Sequence, residues 1–314
     1  MSSLPTIGFA ILSYEGDDRL LRLVRTLGRE YNDPAIVVHH DFGQASIDTS
    51  AFPANVAFVE KWEAMGWAKW SVVAGTLKAF RQLIDESDAE WFFLVSAADY
   101  PIRGGDEVRA ELAALGCDAL IDFRPCIEGR RPRARTIGET NPVMSFMDTS
   151  ANHALKRRFT MSPQFWIPII RRKPRWRIGR ITWRPPIKGR HPFTAERAAF
   201  YGDHWWGGNR KAIEAVLEPG GFAERLRRHF RMRTHADESY YCSVLAARAD
   251  LTLCLNHRRW AEWKGGGARP QMLTNAELGQ MLASGAYFAR KFAPNDTVRD
   301  AIDAHLRSGR QGTS

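Results

Sequence analysis

The chain opens with an unbroken apolar run, Ile7-Gly8-Phe9-Ala10-Ile11-Leu12, closed by Ser13-Tyr14. Its length and composition predict a buried strand. Glu15-Gly16-Asp17-Asp18 reads as a turn able to cap a helix, and Leu20, Leu21, Leu23, Val24 and Leu27 then recur at helical spacing. The same grammar repeats: strands over 36–41, 56–59, 91–96 and 119–123, with helices near 70–84 and 106–115 between them. Strands alternating with helices predict an α/β fold with a doubly wound, mostly parallel sheet and helices on both faces. Later in the chain the pattern predicts helices over 209–217, 238–246 and 297–306. The last of these follows Asn295-Asp296, which suit a helix N-terminus.

The 314 residues allow one large domain or two ordinary ones. No linker composition divides them, so the expectation is a single domain: a first half over 1–124, a basic irregular insertion over 125–195, and a second half over 196–314. No apolar run reaches the ~20 residues of a membrane-spanning helix. Met1 to Thr6 lacks the basic start of a signal peptide, which makes a cytoplasmic location the expectation. Cys117, Cys126, Cys242 and Cys254 have no metal-ligand spacing and read as reduced thiols.

Charge changes the picture most in the middle. The net charge is +10, and Thr149 to Ala195 holds twelve Lys and Arg with no Asp or Glu. Such a block attracts polyanions. For the segment 156–190 three readings stand: contact with the anionic inner face of a membrane, contact with an acidic glycan, or a solvated loop. Nucleic acid is disfavoured as a partner, because no recognised nucleic-acid module is present.

In doubly wound sheets, ligands lie beyond the carboxyl ends of the strands. The polar residues there are Ser13, Tyr14, His39, His40, Asp41, Ser96 and Asp99. Neither GxGxxG nor GxxxxGK[ST] occurs, which argues against dinucleotide and P-loop chemistry. Two late motifs suggest an alternative: Glu238, in His235-Ala236-Asp237-Glu238, is able to act as a base, and Arg269, Arg290 and Lys291 are able to hold phosphate. A base together with a diphosphate clamp suits sugar transfer from a nucleotide sugar. Trp205-Trp206 serves either sugar stacking or packing.

Several segments resemble, in order, those of the core-2/I-branching enzyme family, glycosyltransferase family 14, which also holds peptide O-xylosyltransferases. They are Val38-His39-His40-Asp41, Gly66-Trp67-Ala68-Lys69-Trp70-Ser71, Leu94 through Arg103, Gly202-Asp203-His204-Trp205-Trp206, Asp237-Glu238, and Ser284 through Phe292. The resemblance implies a GT-A-like fold and an inverting transfer from a UDP-sugar without a metal or other cofactor. This chain also lacks the Asp-x-Asp with which most GT-A enzymes chelate a cation. By resemblance, Glu238 is the catalytic base, Lys291 and then Arg269 hold the diphosphate, and Arg290 is a further candidate. Asp41, Trp67, Ser13 and Tyr14 fall toward the donor, and Trp205 and Trp206 toward the acceptor. The expected donor is UDP-GlcNAc, with UDP-xylose as the alternative, and the acceptor is a glycan or glycolipid hydroxyl. The first half then binds nucleotide and the second holds acceptor and base. The rival of another class is a non-catalytic protein that binds polyanions or nucleotide sugars.

Overall fold

The computed structural model describes residues 3–126, 129–138, 176–178, 181–183, 192–231, 233, 235–263 and 269–311. Five strands belong to the first 101 residues: β1 (Ile7–Ser13), β2 (Ile36–His40), β3 (Val56–Phe58), β4 (Trp91–Ser96) and β5 (Asp99–Pro101). Next come β6 (Ala119–Leu120), β7 (Phe123–Pro125), β8 (Arg135–Ile137), β9 (Trp176–Ile178) and β10 (Ile181–Trp183). The last are β11 (Phe200–Gly202), β12 (Gly207–Asn209), β13 (Thr252–Cys254), β14 (Arg259–Ala261) and β15 (Phe288–Arg290). The helices are α1 (Arg19–Tyr31), α2 (Trp70–Glu86), α3 (Gly105–Leu115), α4 (Arg210–Leu217), α5 (Gly221–Phe230), α6 (Tyr240–Ala246), α7 (Leu278–Ala283) and α8 (Val298–Gln311).

The main sheet has the order β3-β2-β1-β4-β12-β6-β13-β8. Among the described strands only β12 runs against its neighbours β4 and β6; the other pairs of this sheet are parallel. Alternation along β1 sends its side chains to two cores. Phe9 and Ile11 meet Leu23, Leu27, Val108 and Ile302 of α1, α3 and α8. Ala10 and Leu12 face Val73, Phe80, Ile213 and Leu245 of α2, α4 and α6. Both sheet faces are therefore covered by helices, and the α/β, doubly wound expectation holds.

Most boundaries follow their local chemistry. Helix α1 stops where Asn32 turns left-handed at φ 60°. Helix α4 starts where the Asn209 side chain accepts a bond from Ala212 N at 3.1 Å. Asp296 accepts from Arg299 N at 3.1 Å at the head of α8. All four cysteines are free and buried.

Two expectations change. The single strand expected over 119–123 is split into β6 and β7. Helix α6 begins at Tyr240, so Glu238 lies in the preceding loop rather than on the helix. Gly207-Gly208 forms β12 between β4 and β6, where a side chain at Gly207 would come within 2.4 Å of the Phe93 ring. Strand β15 pairs antiparallel with β5 and parallel with β14, an assembly of three distant segments. Most of the basic insertion, including Lys156-Arg157-Arg158 and Arg171 to Arg175, lies outside the described residues; within it β9 and β10 pair antiparallel.

The C-terminal helix ties this small sheet to the large one. The Asp303 carboxylate accepts from Tyr100 Oη at 3.0 Å, Arg22 at 3.0 Å and Arg29 at 2.7 Å. Tyr100 itself is fully buried in β5, against Phe292. Among the described residues, no helix is long and apolar enough to cross a membrane.

Two glycines make opposite predictions. A Cβ at Gly202 would sit 1.9 Å from the backbone oxygen of Asp122, which cannot step aside. Gly202→Ala is expected to destabilise the fold by about 1–3 kcal/mol or more. Gly279 in α7 has nothing within 4 Å of that point. There alanine is expected to be neutral or stabilising by up to ~1 kcal/mol. Urea melts of the two variants check both signs.

Candidate active site

The carboxyl ends of β1 and β4 open onto a cavity of about 410 Å³. One wall comes from the loop before α2, with Met65, Gly66, Trp67 and Ala68, and a second from the loops after β11 and before α6, with Asp203, His204, Trp205, Asp237 and Glu238. A third carries Arg269, Arg290 and Lys291, beside Tyr14 and Glu15. Residues separated by most of the chain thus share one space, because β15 returns to pair beside β5.

The loops holding Trp67 and Glu238 are fastened to each other. His235 N donates to Ala68 O at 2.5 Å. Both residues have left-handed backbones, His235 at φ 56° and Ala68 at φ 57°, which disfavours side chains other than Gly. The Trp67 ring meets His235 edge-on at 5.4 Å and is otherwise 65% exposed, so a face is open to a ligand. The Glu238 carbonyl accepts from Gly202 N at 2.7 Å. That bond fixes the base candidate against the end of β11.

The cationic wall is organised around Asp99, which is 1% exposed. Its Oδ2 lies 2.9 Å from Arg259 Nη1, and its Oδ1 lies 3.1 Å from Arg290 Nε. Ser96 donates to the same carboxylate from its backbone N at 3.0 Å and from Oγ at 2.9 Å. The Arg290 guanidinium stacks 4.1 Å from the centre of the Trp205 ring. Next to it, burial and the charges of Arg290 and Arg269 push the Lys291 ammonium below its usual range, against the pull of Asp99 and Glu15. A wall whose cations repel one another is poised for an anion.

The acids of the cavity divide by environment. Burial raises the Asp203 carboxyl, but the hydrogen bond from His257 at 3.2 Å and the charges of His257 and Arg290 outweigh it and hold it at about 2. Burial pushes Asp237 up to about 6, and its Oδ1 has no hydrogen-bond partner among the described residues. Burial also drives His204 down to about 3, leaving a neutral imidazole on the cavity wall.

Of the residues expected at the site, Tyr14, Trp67, Trp205, Glu238, Arg269, Arg290 and Lys291 line the cavity. Three do not. Trp206 is fully buried against Phe80 and Tyr241 and presents no stacking face, so its acceptor role is corrected to packing. Ser13 is 1% exposed, and its Oγ is 3.1 Å from His40 Nδ1. Because His40 Nε2 must donate to Ala45 O at 2.8 Å, Ser13 is the donor in that pair. Asp41 is also buried behind the wall. It accepts from Gly43 N, Gln44 Nε2 and Met65 N at 3.1, 2.6 and 2.7 Å, and so holds lining residues in place. His39 accepts from Glu63 N at 2.8 Å, so His39, His40 and Asp41 serve three separate partners. Sequence reasoning missed Asp203, His204, Asp237 and Trp263 in the lining and Arg259 beneath it. Gly202-Asp203-His204 lay inside a quoted motif, but only β11 shows that it opens onto the cavity.

A family model described as the Core-2/I-Branching enzyme matches residues 7–283. The chain belongs to this family. The match covers β1 to β14 with Trp67, Glu238 and Arg269, and stops short of Arg290 and Lys291. A curated relative, the β-glucuronosyltransferase GlcAT14A of Arabidopsis thaliana, is 24% identical over 324 aligned residues, covering 98% of this chain and 65% of the relative's length. A solved structure titled as a mannose-1-phosphate geranyltransferase from Thermus thermophilus aligns over 79% of this chain and 74% of its own, with 10% identity and a TM-score of 0.30, too low to carry an argument.

The Asp237 environment gives a pH test. Its folded pKa of about 6 stands above the ordinary 3.8, so the folded state binds the extra proton between those values. Its contribution to stability therefore falls as pH rises from about 4 to 6. Asp237→Asn cannot ionise and escapes that loss. Thermal melts should show the variant gaining on the parent from pH 4 to pH 7; a gap independent of pH contradicts the assignment.

Proposed function

We propose that the cavity binds a UDP-sugar and transfers its sugar, with inversion and without a metal, to a hydroxyl of a glycan or glycolipid. One observation carries this reading: Glu238 and the cations Arg269, Arg290 and Lys291 line the same 410 Å³ cavity. Glu238 takes the proton of the acceptor hydroxyl, and that oxygen bonds to the anomeric carbon. The bond from that carbon to the diphosphate breaks, and its electron pair leaves with UDP. Lys291 and Arg269, with Arg290 beside them, stabilise the charge that develops on the departing diphosphate. Trp67 and Tyr14 flank the donor. Trp205 forms part of the floor on which the acceptor approaches.

The cations do the electrostatic work that a divalent ion does in many sugar transferases. Two of the lining carboxylates are engaged separately, Asp203 by His257 and Glu15 by Arg19 at 2.9 Å, and among the described residues no three His, Cys, Asp or Glu cluster as metal ligands do, which disfavours a shared metal. GlcNAc is the donor sugar that the family resemblance favours, and xylose is the alternative within that resemblance. A second reading takes glucuronic acid, the sugar in the name of the Arabidopsis relative. Its carboxylate would add a third negative charge for a wall bearing three cations. The basic segment 156–190 supplies the charge for an anionic surface, such as the inner face of a membrane.

Glu238→Gln is expected to bind UDP as the parent does while losing about 10²–10⁴-fold in transfer rate, the usual contribution of a positioned base. Assays with UDP-GlcNAc, UDP-xylose and UDP-glucuronate rank the donors. A Gln variant with full transfer overturns the base assignment. Activity lost in EDTA and restored by Mn²⁺ overturns the metal-free assignment.

A further inference from the structure

We propose that Asp99 is a positioning residue for the donor site: it aims the Arg290 guanidinium at the donor diphosphate and keeps it stacked on Trp205. The proposal rests on the donor-site reading above and assigns part of that site's work to a residue outside the cavity lining.

The geometry separates the two ends of Arg290. Its Nε faces Asp99 Oδ1 at 3.1 Å, beneath the cavity floor. Its Cζ lies 4.1 Å from the centre of the Trp205 ring. The Nε contact is an ion pair without hydrogen-bond alignment, so the Asp99 charge holds this end. Among the described residues its Nη groups hold no hydrogen bond, and the residue lines the cavity. An arginine held by charge at Nε and by a ring beside it keeps its fork for a ligand, and a planar fork suits a diphosphate better than an ammonium does. The register of β5 and β15 puts the pair together, with Arg290 directly opposite Asp99.

Asp99 is held independently of Arg290. Two bonds from Ser96, at the end of β4, fix both of its oxygens. Arg259 fixes Oδ2 from the other side, and it is itself held by the Leu94 carbonyl and stacked 5.0 Å from the Phe288 ring. One carboxylate thus serves two buried arginines, and of the two Arg290 is the one that lines the cavity. Arg259 is too deep to reach a ligand; its part is to keep Asp99 from rotating.

The test is a double-mutant cycle read by UDP affinity, with titrations in EDTA on the parent, Asp99→Asn, Arg290→Met and the double variant. If Asp99 acts through Arg290, each single change weakens UDP binding by about tenfold or more, and the double variant binds no worse than Arg290→Met alone. Loss of the carboxylate from beneath two arginines endangers the fold of Asp99→Asn. The comparison of Arg290→Met with the double variant, in which one carboxylate and one cation are removed together, carries the same information without it. A further loss of affinity in the double variant, or an Arg290→Met variant with the parent's affinity, overturns the proposal. Coupling that appears in thermal stability but not in UDP affinity also overturns it, since Asp99 then only supports the fold. A parent that binds no UDP overturns the donor-site reading itself, and this proposal with it. A parent that binds UDP while the two losses simply add overturns this proposal alone.

Discussion

One buried carboxylate sets the geometry of the cationic wall. Asp99 sits where β4 of the main sheet leads into β5, and it meets two arginines from segments far down the chain; Arg259 lies 160 residues away. Burial, joined by the Arg290 charge, pulls the Arg259 pKa down to about 10 against the charges of Asp99 and Asp203. Buried charges of this kind persist only when paired and hydrogen-bonded, and removing one partner costs about 3–5 kcal/mol. The pairing therefore specifies where β14 and β15 must lie. Lys291 and Phe292 follow from that placement, and Phe292 then packs on Tyr100, which the C-terminal helix clamps through Asp303. The cationic wall is a consequence of fold closure as much as of local sequence.

The rest of the cavity lining is built by other means. Its loops carry no long secondary structure, and their order comes from backbone bonds between strained residues such as Ala68 and His235 and from the bond that ties Glu238 to Gly202. Carboxylates and imidazoles of quite different proton affinity line it, from Asp203 at about 2 to Asp237 at about 6. Environment separates them: Asp203 has an imidazole and a guanidinium beside it, whereas among the described residues one oxygen of Asp237 has no partner. Glu238 and the cations Arg269, Arg290 and Lys291 share one cavity, which suits the charge flow of the proposed displacement, in which negative charge moves from acceptor to leaving group.

Much of this was legible in the sequence wherever chemistry was local. The apolar runs of β1, β2 and β4 and the helical spacing of α1 and α2 depend on neighbours a few residues away, and the expected bounds of β1, β2, β4 and α2 came within one or two residues. Glu238, Lys291, Arg269 and Arg290 stood out by side-chain chemistry and short motifs, and the fold brings them to one cavity. What could not be read were the long-range closures. Gly207-Gly208 forms a central strand against Phe93, where a side chain would not fit, and Trp206 packs inward on Phe80 and Tyr241. Ser13 and Asp41 lie where strand ends predict ligand groups, yet their polar atoms are committed to His40 and to the Met65 loop. Asp99 stood only among the polar residues at the strand ends, and its two arginine partners are invisible without the register of β5 against β15.

The central claim is that this cavity receives the diphosphate of a nucleotide sugar on its arginine–lysine wall without a metal. A crystal structure of the protein with UDP, grown in EDTA, tests it most directly. The account predicts the diphosphate oxygens within hydrogen-bond distance of Lys291, Arg269 and the fork of Arg290, with the nucleoside beside Tyr14 and Trp67. UDP bound elsewhere on the chain, or seen in the cavity only when a divalent cation bridges it to Asp203 or Glu15, would contradict the account.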